Sequence, residues 1–519
     1  MAEIDNRNML VFGQENQEKL HRTKVLVVGS DTVSQYVCAS LAGLSVGRIV
    51  IMDNSRVSRN CHDFYCLHNS REIGRKKVKQ IAERLTKLNT RYMDDYSIVG
   101  LHTKFEPAFL RSLNFQPDII FETTNDSISK EQVTAYSAKI QAPLLSLSSS
   151  NNMGKLTCFW PEQGRPDVGL LRQSQLDGQA QGSYTSGVIA GIAVEELRKR
   201  IFQYSNDGRD TNLPNCQEFV YNPYSTELIK EESDMKKDMV QHYGGKRALV
   251  IGGGALGTVV SLNLAMMRVG HIDIIDRDHV EESNLNRQFL HYDRTGIAKA
   301  ASLEERLREI SPSSNIRGIK GSIGEVWPSD MGWLKELYDR DKQLGERSRE
   351  KKKMPDFDTF VRILYTLDNN LKESGVKMIT KDFLFDNKYD AIFGCLDNKY
   401  ARVWINDIAV RKKIPYIDGG TTATSGTVAR FIPGKTRCID CQLDLMGWSS
   451  GYDPCAQRPE GSVVMANLIT GSMMVGEAIK VFYPILSTNA RNELKYDANH
   501  FSRIYTRELS PVPRQNHCI

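Results

Sequence analysis

The chain has no long uncharged apolar run, no basic run of useful length, and no charged-then-apolar leader. Each absence excludes a class. The most apolar stretch, "VVMANLITGSMMVGEAIKVF" (463–482), is interrupted by Glu477 and Lys480, which argues against a membrane span. Basic residues number 68 against 63 acidic ones, a net charge of +5, and no patch reads as a nucleic-acid footprint. The start, "MAEIDNRNML", lacks the regions of a secretory signal. The ten cysteines are therefore expected as reduced thiols in a cytoplasmic protein, not as a disulfide framework. What is present is ordinary globular composition, 40% hydrophobic and 25% charged over 519 residues. That length is too great for one core, so two or three domains are expected.

The chain also repeats itself. "KVLVVGSDTVSQYVCASLAGLSVGRIVIMD" (24–53) aligns with "RALVIGGGALGTVVSLNLAMMRVGHIDIIDRD" (247–278). In each, an apolar run leads to a turn, a helical pattern and a second apolar run ending in Asp, the pattern of a βαβ unit. Three more pairs follow in the same order: "PDIIFETTND" with "YDAIFGCLDN", "APLLSLSSSNNMGKLTCFWP" with "IPYIDGGTTATSGTVARFIP", and "GSYTSGVIAGIAVEELRKRIF" with "GSVVMANLITGSMMVGEAIKVF". Ordered repetition of strands and helices predicts a tandem duplication of doubly wound α/β domains. The second copy carries an insertion at about 325–388, including "LGERSREKKKMPD", which reads as a solvated surface subdomain.

The chemistry concentrates in the second copy. Gly252, Gly254 and Gly257 form G-x-G-x-x-G between a strand and a helix, where backbone N–H groups can meet a phosphate. Asp276 ends the next strand, at the distance where a carboxylate meets a ribose hydroxyl. This much suits NAD or ATP equally. "NLNRQF", with Asn284, Asn286, Arg287 and Gln288, then adds a polar cluster, and Lys299 a second cation. Hydride transfer has little use for these charges, whereas holding a triphosphate and stabilising departing pyrophosphate needs them. Asp397, in "CLDN" at a strand's carboxyl edge, is a natural Mg²⁺ ligand facing phosphate oxygens.

These motifs together resemble the ThiF/MoeB superfamily, and more narrowly the activating enzymes of ubiquitin-like proteins, over most of residues 5–325 and 388–485. The resemblance implies two tandem Rossmann-like ThiF-type domains forming a pseudo-dimer. Residues 1–205 would be an inactive adenylation-like domain, 206–245 a linker, and 246–519 the active domain. The insertion would be helical, and a crossover segment at about 442–462 would carry a cysteine. The implied reaction adenylates the C-terminal glycine of a ubiquitin-like β-grasp protein with MgATP. Asp276 would take the ribose, Arg287 and Lys299 the phosphates, Asp397 the magnesium, and Asn284 a further place in the pocket.

The first copy has lost most of this. Its turn reads "GSDTVS", with Asp31 and Ser34 in place of two glycines, and "TTND" replaces "CLDN". A carboxylate at Asp31 repels phosphate, so this copy is expected not to bind ATP productively. Its start nevertheless keeps Arg7, which by the resemblance reaches across the pseudo-dimer to the triphosphate. Cys438 and Cys441 have the C-x-x-C spacing of half a zinc site, and the resemblance expects a second pair, for which the chain offers Cys518. Cys455, in "GYDPCAQRPEGS", falls where the family forms a thioester, while Cys395 and Cys38 read as packing. A conjugating-enzyme-like partner is also implied, although no counterpart of the family's usual recruiting domain follows residue 485. The alternative within the superfamily is adenylation of a sulfur-carrier protein or a peptide without an obligatory thioester.

Overall fold

The computed structural model describes residues 3–58, 67–90, 92, 97–163, 182–202, 218–223, 243–323, 335, 338–339, 376–379, 383–384, 387–397, 399–443, 461–482, 492–500 and 502–508. The chain opens with helix α1 (Asn6–Arg22), followed by β1 (Lys24–Val28), α2 (Thr32–Gly43), β2 (Arg48–Met52), α3 (Lys77–Leu88) and β3 (Ser97–Leu101). Then come α4 (Pro107–Ser112), β4 (Ile119–Glu122), α5 (Ser127–Ile140), β5 (Leu144–Ser149), β6 (Gly154–Phe159), α6 (Ser183–Phe202) and β7 (Glu218–Tyr221). These strands form a seven-stranded sheet in the order β3-β2-β1-β4-β5-β6-β7. β1 to β5 pair in parallel and β6 and β7 run antiparallel.

The second half repeats this plan with β8 (Arg247–Ile251), α7 (Ala255–Met266), β9 (His271–Asp276), α8 (Lys299–Ile310), β10 (Asn315–Ile323), β11 (Lys377–Ile379) and β12 (Ala391–Gly394). It continues through α9 (Lys399–Lys412), β13 (Tyr416–Thr421), β14 (Ser425–Phe431), α10 (Ile439–Leu443), α11 (Val464–Phe482), β15 (Asn492–Asp497) and β16 (Ile504–Glu508). Its sheet has nine strands, β11-β10-β9-β8-β12-β13-β14-β15-β16, parallel from β11 to β13. Strands such as "KVLVV" and "RALVI" are almost wholly buried because helices cover both faces of a parallel sheet. The two mixed α/β sheets realise the expected pair of tandem Rossmann-like domains.

Two expectations need adjustment. Residues 206–245 are not all connector, since Glu218–Tyr221 forms the edge strand β7 of the first sheet. Within the insertion, Lys377–Ile379 extends the second sheet by pairing in parallel with β10. Both segments are short and surrounded by polar sequence, so periodicity could not reveal them. Of the crossover segment only 442–443 and 461–462 lie among the described residues, and Cys455 and Cys518 lie outside them.

The halves share one core. A single apolar cluster includes Val25 of β1, Tyr36 of α2, Ile189 of α6, Val259 of α7 and Ile469 of α11. Polar pins cross the seam: Tyr36 Oη donates to Asn263 Oδ1 at 3.0 Å, and Arg503 Nε donates to Glu196 Oε1 at 2.9 Å, both buried. Among the described residues no helix is long and apolar enough to cross a membrane.

Candidate nucleotide site

The turn after β8 is built by two glycines. Gly252 has φ +96°, a left-handed conformation that favours glycine. A Cβ on Gly257 would lie 1.7 Å from the Gly252 carbonyl oxygen, so the first turn of α7 can pack against the loop only without a side chain there. Asp276, at the end of β9, accepts from Gly253 N at 2.6 Å and from Asp278 N at 2.7 Å. Burial pushes its carboxyl up, opposed by Lys299 and by these two N–H groups. Gly254 stands at the N-cap of α7 and supplies no side-chain cap. The leading N–H groups of that helix therefore have no side-chain acceptor from the cap position, the condition for receiving an anion.

The first half shows the same turn closed. Asp31 occupies the N-cap of α2, and its carboxylate accepts from Ser34 N at 2.9 Å. The carboxylate thus fills, from within the chain, the helix end that an anion would use. Ser30 Oγ donates to Asp53 Oδ2 at 2.8 Å, the counterpart of the Gly253–Asp276 bond. Lys77 still leads α3 as Lys299 leads α8. Sequence reading overlooked that survival, because the lysine lies beyond the motif that had decayed.

Cations of the two halves meet at the seam between them. Lys299 Nζ lies 3.2 Å from Asp278 Oδ2. Arg287 Nη1 donates to Ser283 O at 3.0 Å and to Asn286 Oδ1 at 2.8 Å. Burial and the charge of Arg7 push its guanidinium down to about 10, with Glu281 pulling the other way. Arg7 lies on α1 of the first half, so the two arginines sense each other across the seam. Asn284 shapes the turn here: its Oδ1 accepts from Glu281 N at 3.4 Å, and its amide donates to Ser283 Oγ at 3.4 Å.

Two further residues belong to the site. Gln288 is buried, its Nε2 lies 3.9 Å from where a Gly254 Cβ would stand, and its Oε1 has no hydrogen-bond partner among the described residues. His291 sits under the loop, Nδ1 2.8 Å from Ser302 Oγ and Nε2 3.4 Å from Gly253 O. Burial drives its pKa down to about 3, so it is a neutral strut. "NLNRQF" contained Gln288, but nothing in the pattern told a site-facing glutamine from an exposed one, or marked His291 beyond it.

Asp397 is exposed just beyond β12, at the carboxyl edge of the sheet. The loop is pinned from below by Arg402, whose Nε donates to Leu396 O and Nη2 to Gly419 O, each at 2.9 Å. Arg402 also pairs with buried Asp418 at 3.6 Å. An exposed carboxylate on a pinned loop beside the glycine turn fits a magnesium ligand. The first half replaces this arrangement in two places at once. Glu122 on β4 pairs with Lys130 of α5 at 3.8 Å and accepts from Ser146 on β5. The registers β4–β5 and β12–β13 align Glu122 with Ser146 and Gly394 with Asp418. The acid has thus moved one strand over between the halves, and the cation on the following helix has stayed.

Of the cysteines, Cys38 is buried on α2, and Cys395 lies against the glycine turn with its thiol pushed up by burial and by Asp418. Cys438 and Cys441 are buried around α10, in one apolar cluster with Ile405 and Phe431. Among the described residues no group of three or more His, Cys, Asp or Glu could hold a metal ion. The two thiols alone supply half a tetrahedral shell.

The described residues thus form a tandem pair of Rossmann-type halves, one with its glycine turn open and one with it capped. The chain belongs to the ThiF family, which it matches over residues 5–235, 224–341 and 361–518. Among relatives, it is 28% identical over 205 residues to the sulfur carrier protein ThiS adenylyltransferase of Bacillus subtilis, covering 38% of this chain and 44% of that protein. It is 25% identical over 333 residues to ubiquitin-like modifier-activating enzyme 5 of Drosophila willistoni, covering 63% and 68%. The chain thus spans less than half of the bacterial relative and about two thirds of the fly one. A solved structure, MccB of E. coli with ATP, overlaps 53% of this chain and 67% of its own at 18% identity and a TM-score of 0.36.

Proposed function

We propose that the chain is a cytoplasmic activating enzyme for a ubiquitin-like protein. Its second half joins AMP from MgATP to the C-terminal glycine of a small β-grasp protein, and Cys455 then captures the acyl group as a thioester. The observation that carries this reading is the contrast between the two turns, uncapped at Gly254 and capped by Asp31, with Lys299 acting on Asp276 beside the open one. In it, Asp276 takes the ribose hydroxyls beside Gly252 and Gly254, and Asn284 keeps the turn that bears Arg287. Arg287, Lys299 and Arg7 stabilise the charge that develops on phosphate. Magnesium at Asp397 would offset negative charge on the triphosphate.

The carboxylate of the substrate protein attacks the α-phosphorus, and the bond to pyrophosphate breaks. The Cys455 thiolate then attacks the acyl carbon, and AMP departs with the electron pair of the C–O bond. Zinc held by Cys438, Cys441 and Cys518, and a conjugating-enzyme-like acceptor, belong to the same proposal. A second reading, adenylation of a sulfur-carrier protein or peptide with no thioester, is favoured by the likeness to the Bacillus adenylyltransferase.

One experiment separates the readings. Enzyme, MgATP and a β-grasp protein are assayed for ATP–pyrophosphate exchange and run on a non-reducing gel. Wild type should exchange and give a thiol-sensitive adduct, and Cys455→Ala should keep the exchange and lose the adduct. Exchange without any wild-type adduct transfers the assignment to the second reading. No exchange with β-grasp proteins or peptides overturns both.

A further inference from the structure

The seam between the halves carries a chain of buried amides that ends on an arginine of the open site. Arg287 Nη1 donates to Asn286 Oδ1 at 2.8 Å. Asn286 Nδ2 donates to Asn8 Oδ1 at 2.7 Å and to Ser462 O at 3.0 Å. Asn8 Nδ2 donates in turn to Gly43 O at 2.9 Å. Both asparagines are fully buried. The joint is tight: a Cβ on Gly43 would come within 2.2 Å of the Asn286 carbonyl oxygen.

Each amide has only one workable orientation. Turning Asn286 over would set its oxygen against two other oxygens, Asn8 Oδ1 and Ser462 O, and point its N–H groups at a guanidinium. Asn8 immediately follows Arg7 on α1, and Asn286 immediately precedes Arg287. One bond therefore ties together the two backbone positions that carry Arg7 and Arg287, cations from different halves that repel each other.

We infer that Asn8 and Asn286 are positioning residues that hold Arg7 and Arg287 together on one phosphate-binding locus of the nucleotide site. The inference rests on the nucleotide reading given above. Two like charges kept side by side in a partly buried seam gain when a polyanion arrives between them. Neither asparagine touches the anion; they act through the arginines. A seam serving stability alone would gain as much from apolar side chains of similar volume, because buried amides must first be desolvated.

The test is a double-mutant cycle read by inorganic tripolyphosphate binding in a calorimeter, on the full chain at fixed salt. Arg7→Ala should weaken binding roughly tenfold or more, as expected for a lost charge-assisted contact. Asn8→Ala should weaken it several-fold, and the double variant should lose less than the two single losses combined, the remaining loss being the part Asn8 exerts through Asn286 on Arg287. Asn8→Ser, whose hydroxyl cannot span from Gly43 to Asn286, replaces Asn8→Ala if thermal unfolding shows that variant to be misfolded. Additive losses in the cycle, or unchanged binding in both Asn8 variants, overturn the inference. If wild type binds neither tripolyphosphate nor ATP, the nucleotide reading fails and takes this inference with it.

Discussion

Gly254 and Asp31 show how one side chain decides whether a helix end is a site. Both residues have ordinary extended N-cap conformations, φ −72° and −78°. A Cβ on Gly254 would meet only Gln288 Nε2, at 3.9 Å. Gly254→Asp should therefore fold with an unchanged melting temperature and lose ATP binding, which calorimetry with MgATP would measure. Retained binding would sink the role of the open turn. Asp397→Ala should lower ATP–pyrophosphate exchange by at least ~10²-fold, the scale of losing a preorganised charge contact. Normal exchange would remove Asp397 from the site. At this scale the sequence was legible where a residue type is forced by backbone or charge, as at Gly252, Gly257 and Asp276. It named Gln288 without showing which way it faces, and it was silent on Asn8 and His291, whose types occur equally on surfaces.

The elements were legible through repetition. Four aligned segments exposed the duplication, and the apolar runs of β1, β2, β8 and β9 marked parallel strands buried on both faces. The edge strands β7 and β11 escaped because a peripheral strand needs little apolar patterning and leans on its neighbour's backbone. Helix α2 also gains from its altered start. Asp31→Ala removes an N-cap bond and should cost about 1 kcal/mol of stability. Urea unfolding would measure it, and no loss would mean that the carboxylate does not cap the helix in solution.

For the molecule as a whole, two buried histidines set an acid limit. Burial drives His68 down to about 4 and His291 to about 3, both below the ordinary 6.5. Above pH 6.5 both are neutral in folded and unfolded chains alike. As pH falls below 6.5 the unfolded chain binds protons that the folded one refuses, so stability declines until the folded values are reached. The slope is about 1.4 kcal/mol per pH unit for each histidine. Between pH 6.5 and 5, His68→Gln should lose about 2 kcal/mol less than wild type in urea unfolding. Parallel declines in the two proteins would overturn this account of His68. The displaced acid, Glu122 on β4 in one half and Asp418 on β13 in the other, has a consequence of another kind. Swapping β4 into the second half would set two carboxylates against Arg402, and swapping β12 into the first would leave Lys130 with none. Copies that began interchangeable have thereby become mutually incompatible spare parts, and gene conversion between them would be punished at that strand.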